Sequence, residues 1–184
     1  VIACTTVVMR VDGFAMMPNF SFGTAMTTYS GQNVGAKKLD RVKTGAKQGT
    51  LIAVGTSAAI TAVILLFGRH LMAIFTSTSE LVTLSNNMMR VLALGYLAMA
   101  VTQSLSGVMR GAGDTMTPMW ISLITTVAIR VPLAYGIAWM TRTPEMPGGW
   151  YACIWISLLV SWVLGAVITA GFYRWGKWKE KALE

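Results

Sequence analysis

Of the seven acidic residues in this 184-residue chain, only Asp12 lies inside an apolar stretch, "VVMRVDGFAMMPNF". Placing an ionisable side chain at the centre of a membrane costs about 2.5–3.5 kcal/mol on insertion scales, so such a residue is a functional candidate by default. Its carboxyl can take up a coupling proton or a sodium ion, or pair with a cation on a neighbouring helix. Arg10 is not that cation, because two helical steps turn it about 200° away. Arg130, in "TTVAIRVPLAYG" two residues before Pro132, is one candidate. An arginine so deep in an apolar run must face a partner or an aqueous cavity. Asn19, just after Pro18, and the set Gln103, Ser104 and Ser106 add neutral hydrogen-bonding groups. These groups either line a cavity with Arg130 or bond between helices.

A different chemistry is suggested by "YSGQNVGAKKLDRVKTGAKQG", where glycines and basic residues alternate. A phosphate loop needs two glycines separated by four residues, followed by Lys and then Ser or Thr. Only three residues separate Gly31 from Gly35, Ala36 precedes Lys37, and the segment before them has a helical pattern. The spacing excludes a nucleotide cradle. The same residues suit an elbow between helices: Gly31 and Gly35 are expected to free the backbone, with Gln32 and Asn33 bonding the helix-end carbonyls.

The single histidine, His70, rules out a multi-histidine metal centre, and Cys4 and Cys153 sit in apolar surroundings without C-x-x-C spacing. They are expected to be small buried hydrophobes, and no metal or organic cofactor is implied. The net charge of +8 does not signal nucleic acid, because the basic residues fall in short clusters between apolar runs.

The elements that must position these residues follow from composition. With 54% hydrophobic and 12% charged residues, and a mean hydropathy of +0.59, the chain has too few ionic groups to cover a water-facing surface. The fold class expected is an all-α integral membrane protein of about five transmembrane helices, contacting the lipid bilayer directly. A helix needs about 20 mainly apolar residues to cross. The spans are expected at about 1–32 (one helix kinked at Pro18), 48–68, 88–110 with an amphipathic lead-in from Ser79, 118–140 and 150–173. They form a single membrane domain over 1–184 with a basic tail at 174–184. The chain starts at Val1 within an apolar run and reads as a piece of something longer.

Basic residues set the orientation. Lys37, Lys38, Arg41, Lys43, Lys47, Arg110, Arg174, Lys177, Lys179 and Lys181 alternate with connections carrying only Arg69 and Arg142. Arg10, Arg90 and Arg130 fall within spans or at their edges. The 35–48 connector and the C-terminus are therefore expected in the cytoplasm, in a multi-pass protein of the cell membrane, plasma or bacterial inner. Trp139 and Trp150 mark the outer interface and Trp120, Trp175 and Trp178 the inner one. Pro118 suits the first turn of a helix capped by Asp114, Thr115 or Thr117. The small-residue pairs Gly45–Gly49, Gly55–Ala59 and Gly107–Gly111 allow close helix approach.

Two stretches resemble a known family. "RVDGFAMMPNFSFGTAMTTYSGQNVGAKKLDRV", with Gly31, Gln32, Asn33 and Gly35, is similar to the helix and loop of multidrug and toxic compound extrusion transporters. "SLSGVMRGAGDTMTPMW", with Arg110, Gly111, Gly113 and Asp114, is similar to a second signature of that family. The likeness covers nearly the whole chain. It implies a twelve-helix, two-lobe fold, of which this chain looks like helices 8–12, most of the C-terminal lobe. It also implies a proton- or sodium-coupled antiporter that exports amphipathic, often cationic small molecules by alternating access, together with its missing N-terminal lobe. Some members carry an ionisable cation-site residue about three turns before the Arg-Gly motif. That position is Met99 here, so the coupling acid is expected in the other lobe or at Asp12. A lipid-linked saccharide flippase of the same superfamily and a non-transporting membrane scaffold are the competing readings. A row of basic residues within the spans would favour the flippase.

Overall fold

The structure is a computed structural model that describes residues 2–76, 78–144, 149–150, 152–176 and 178. The described residues hold five helices joined by short turns, and no strand occurs among them: α1 (Ile2–Gly35), α2 (Leu39–Ala73), α3 (Ser79–Gly111), α4 (Met116–Met140) and α5 (Cys153–Trp175). In α4 the turns over Ile124–Arg130 are π-helical. The helices α2 to α5 are each long and apolar enough to cross a membrane. At 34 residues α1 is long enough but less apolar. A run of hydroxyls there (Ser21, Thr24, Thr27, Thr28) donates back to carbonyls four residues earlier, which satisfies these polar groups within the helix.

The central helix is α3, packed by α1, α2 and α5. Over its most apolar window 56% of residues are buried, against 11% in α4, so α4 stands at the edge of the bundle. One core cluster joins Val8, Met16, Ile64, Leu92, Tyr96 and Trp162 from four helices. A second, at one end, joins Met26, Val42, Ala46, Val108, Met109 and Trp178.

Close approach of α1 to α3 depends on glycine. A Cβ on Gly107 would overlap the Gly23 carbonyl, and one on Gly111 would overlap the Thr27 carbonyl. Similarly, Gly45 and Gly49 of α2 receive the Tyr29 ring and the Met26 side chain. The expected third pair is not used: Gly55 has open space where its side chain would be, because that face of α2 points outward.

The turn between α1 and α2 differs from the expected glycine elbow. Gly31 and Gly35 both lie inside α1, and α2 begins at Leu39, so most of the 35–48 connector is helix. The residue that reverses the chain is Lys37, with φ of 58°. Its amide donates to Val34 and the Lys38 amide to Asn33, both at 2.8 Å. This is a Schellman closure with lysine where glycine is usual. The Asn33 side chain instead donates to Tyr29 O one turn back, at 2.8 Å.

The end of α3 closes in the same way with the usual residue. Gly113 (φ 88°) donates to Arg110 O and Asp114 to Met109 O. At the start of α4, Thr115 occupies the N-cap without a side-chain bond, and the buried Asp114 accepts the Thr117 amide at 3.4 Å. Its negative charge favours the positive end of the helix dipole. Trp178 is not an exposed anchor: it is buried, stacks on Tyr173 at 5.1 Å and donates to Tyr173 O at 2.7 Å. Lys177, Lys179 and Lys181 of the basic tail lie outside the described residues.

Candidate functional site

Two polar groupings interrupt the apolar bundle, and they divide the expected site residues between them. The first lies among α1, α2 and α3. Pro18 occurs inside α1, and Asn19 beside it is 1% exposed. Asn19 accepts a hydrogen bond from Ser57 Oγ of α2 at 2.7 Å and donates to Tyr96 O of α3 at 3.4 Å. One amide thus ties three helices, a use of neutral polar groups suited to hydrocarbon surroundings. Two turns earlier in α1 the half-buried Asp12 accepts a hydrogen bond from Tyr96 Oη at 2.8 Å. Thr61 of α2 completes the group by donating to Ala93 O at 2.9 Å.

Asp12 does not pair with Arg130. Among the described residues the one ion pair is Lys43–Asp40, 3.3 Å apart on the surface. The phenol of Tyr96 takes the place of the expected cation because α3, rather than α4, lies against α1.

The second grouping surrounds a cavity of about 370 Å³ between α3, α4 and α5. Gln103, Ser106, Arg110 and Arg130 all line it, as does Met99. Ser104 does not line it; it is buried on another face of α3. The cavity starts near the α3–α4 turn, at Arg110, Thr115 and Pro118, and reaches in to Arg130. Arg130 is 14 residues from the start of α4, so it lies about 21 Å into the helix.

The π-helical turns account for where Arg130 sits. Pro132 offers no amide and its ring crowds the carbonyl four residues earlier. The wider turns over Ile124–Arg130 relieve that crowding just upstream and end on the arginine. Ser161 of α5 holds both features. Its hydroxyl donates to the Thr125 carbonyl at 3.2 Å and accepts from Arg130 Nη2 at 3.5 Å. Gly165, one turn on, has only the Thr125 methyl near its Cβ position and lets α4 approach.

The family-motif residues cluster at the ends of α1 and α3 and in the turn after α3 rather than in the groupings. Gly31 lies against Gly111 where α1 meets α3, Gln32 is exposed, and Gly35 ends α1. Arg110 alone among them lines the cavity.

Sequence reasoning missed Tyr96 and Ser161. Tyr96 precedes Gln103 by seven residues, which places both near one stripe of α3. Ser157 and Ser161 recur at four-residue spacing in a helix otherwise rich in Trp, Leu and Val. Tyr96 also bridges the two groupings: its ring lies 6.2 Å from that of Trp162, and Trp162 lines the cavity. Among the described residues no group of His, Cys, Asp or Glu is arranged to hold a metal ion.

Comparison with known proteins gives a consistent result. The family model MatE matches residues 1–136. The chain is 24% identical to the probable multidrug resistance protein NorM of Thermotoga maritima, over 95% of this chain and 36% of that protein. It is 27% identical to the multidrug resistance protein MdtK of Proteus mirabilis, over 95% of this chain and 38% of that one. Its fold is that of the eukaryotic MATE transporter AtDTX14, with a TM-score of 0.84 and 22% identity over 98% of this chain and 39% of that chain. An inward-facing multidrug resistance MATE family transporter of the MOP superfamily aligns with a TM-score of 0.79, at 20% identity over 98% of this chain and 40% of that chain. The chain thus spans about two-fifths or less of the length of these relatives.

Proposed function

The chain belongs to the MatE family, and from that premise we propose that it forms most of one lobe of a cation-coupled antiporter exporting amphipathic compounds by alternating access. The observation that carries this reading is the polar-lined cavity of about 370 Å³ enclosed by helices long and apolar enough to cross a membrane. A scaffold has no use for an arginine, a glutamine and several hydroxyls at that depth, since each must be desolvated or kept wet. Cargo occupies the cavity between α3, α4 and α5, and the lobe absent from this chain supplies the facing wall.

Asp12 serves as the site of the coupling proton or sodium ion. As a carboxylate it accepts a charge-assisted bond from Tyr96; protonation adds an O–H donor and weakens that bond, so the contact with Tyr96 is open to rearrangement. Because the Tyr96 ring packs on Trp162, the rearrangement reaches the cavity wall. No covalent step is involved. The experiment uses the full-length parent in proteoliposomes with an imposed proton or sodium gradient. Filling the cavity with Ser161→Trp should lower dye export at least tenfold while the protein remains folded. Undiminished export would rule out this cavity as the cargo route.

The flippase reading has one observation in its favour, the presence of Arg110 and Arg130 in the same cavity. Gradient-independent movement of a lipid-linked saccharide, without dye export, would select it.

A further inference from the structure

On the wall that this chain supplies, the charge of the cavity differs from what a site for cations requires. Among the described residues two arginines, Arg110 near the α3–α4 turn and Arg130 deep inside, line it, and no acidic residue does. Asp114, beside Thr115 at the mouth, is turned to the start of α4, where it accepts the Thr117 amide, and Asp12 is engaged by Tyr96; neither lines the cavity. A guanidinium carries five N–H donors in a planar fork. Arg130 spends one of them on a long 3.5 Å bond to Ser161, and its buried Nε has no hydrogen-bond partner. A buried donor left unmatched is costly, and charge-assisted bonds to a carboxylate, sulfonate or phosphate are the strongest that a guanidinium makes.

We propose that this cavity selects its cargo through an anionic group held by Arg130, so that its preferred cargo is an anionic or zwitterionic amphiphile rather than a simple cation. The inference rests on the transport reading given above. Arg110, exposed at the mouth, attracts the anion toward the entrance, and the field of both arginines repels a cation that brings no counter-charge. Gln103 and Ser106 on the α3 wall offer neutral hydrogen bonds around the head group. Met99, Met119 and Trp162 offer a compliant apolar and aromatic surface to the body of the molecule. The cavity therefore has a charged end and a greasy flank, which matches an amphiphile with a negative head.

The test compares two xanthene dyes of similar size and opposite charge, fluorescein and rhodamine 123, on the full-length parent. Binding is followed by fluorescence polarisation in detergent, and export in proteoliposomes. The wild-type protein should hold fluorescein at least tenfold more tightly than rhodamine 123, with the preference shrinking in high salt. Arg130→Gln should shift the ratio of the two affinities at least tenfold toward the cation, weakening fluorescein and strengthening rhodamine 123. Arg130→Lys keeps the charge but loses the fork, and should keep the order while weakening fluorescein a few-fold. A wild-type preference for rhodamine 123, or an unchanged ratio in Arg130→Gln, overturns the proposal. So does loss of both dyes in Arg130→Gln and Arg130→Lys alike, which would make Arg130 a structural residue. Export that responds to Ser161→Trp but ignores dye charge sinks only this inference; export indifferent to Ser161→Trp removes the cavity as the cargo route, and absence of any gradient-driven export sinks the transport reading itself.

Discussion

Two single residues carry conformational and electrostatic costs that can be measured. Lys37 holds a left-handed backbone conformation, φ of 58°, at the position that closes α1. A residue with a Cβ pays roughly 1–2 kcal/mol there, which glycine does not. Lys37→Gly recovers that cost but loosens the unfolded chain, so a net gain of about 0.5–1 kcal/mol is expected. Thermal unfolding of the parent in detergent measures it, and a fall in midpoint would contradict the Schellman closure. Asp12 is the second case. Among the described residues its carboxylate accepts a hydrogen bond from Tyr96 and forms no ion pair. In Asp12→Asn the amide keeps an acceptor for the Tyr96 hydroxyl but no longer exchanges a proton. Gradient-driven dye export should fall at least tenfold and lose its dependence on pH, while Tyr96→Phe should weaken export and leave some pH dependence. Wild-type rates with a wild-type pH profile in Asp12→Asn would make the aspartate structural.

The same sequence builds its helices by two different means. Contact of α1 with α3 is set by glycine backbone, since Gly107 has the Gly23 carbonyl where a Cβ would go. Gly107→Val must push the helices apart, at a cost of about 1–3 kcal/mol or more, whereas Gly35→Ala and Gly55→Ala meet open space and should be tolerated. Unfolding of the parent measured on the three variants distinguishes the roles, and equal effects would refute the close approach. These contrasts show what could be read beforehand. The apolar runs gave away α2 to α5, because a membrane leaves few alternatives to a continuous helix. The first turns of α2 escaped, because Arg41, Lys43 and Lys47 have the composition of a loop while the backbone there is helical. Gly31 and Gly35 looked like the flexible points, yet helix geometry absorbed both and left Lys37 at the bend. At the site, the depth of Asp12 and Arg130 was legible from their apolar flanks. Their partners Tyr96 and Ser161 were not, since which helices meet is a tertiary fact that no local spacing encodes.

On the scale of the whole molecule, the five helices alternate in direction, so the α1–α2 and α3–α4 turns and the end of α5 share one side. Trp178 demonstrates this directly by packing into the cluster that contains Val42 and Met109. Lys37, Lys38, Arg41, Lys43, Lys47, Arg110 and Arg174 gather on that side, while Arg69 and Arg142 are on the other. Basic residues close to span ends resist translocation, so the first side should be cytoplasmic. With that orientation the cavity mouth at Arg110 and Thr115 would open toward the cytoplasm, as the export proposed above requires. Cysteines introduced in the full-length parent, after Cys4 and Cys153 are replaced, test the orientation. Both native thiols are buried, so their removal should leave the surface unchanged. Lys38→Cys should react with a membrane-impermeant maleimide only in inside-out vesicles or lysed cells, and Arg142→Cys in intact cells. The opposite pattern would invert the protein and turn the cavity mouth toward the exterior. Cargo would then be captured from outside, and the same arginines would have to serve uptake rather than export.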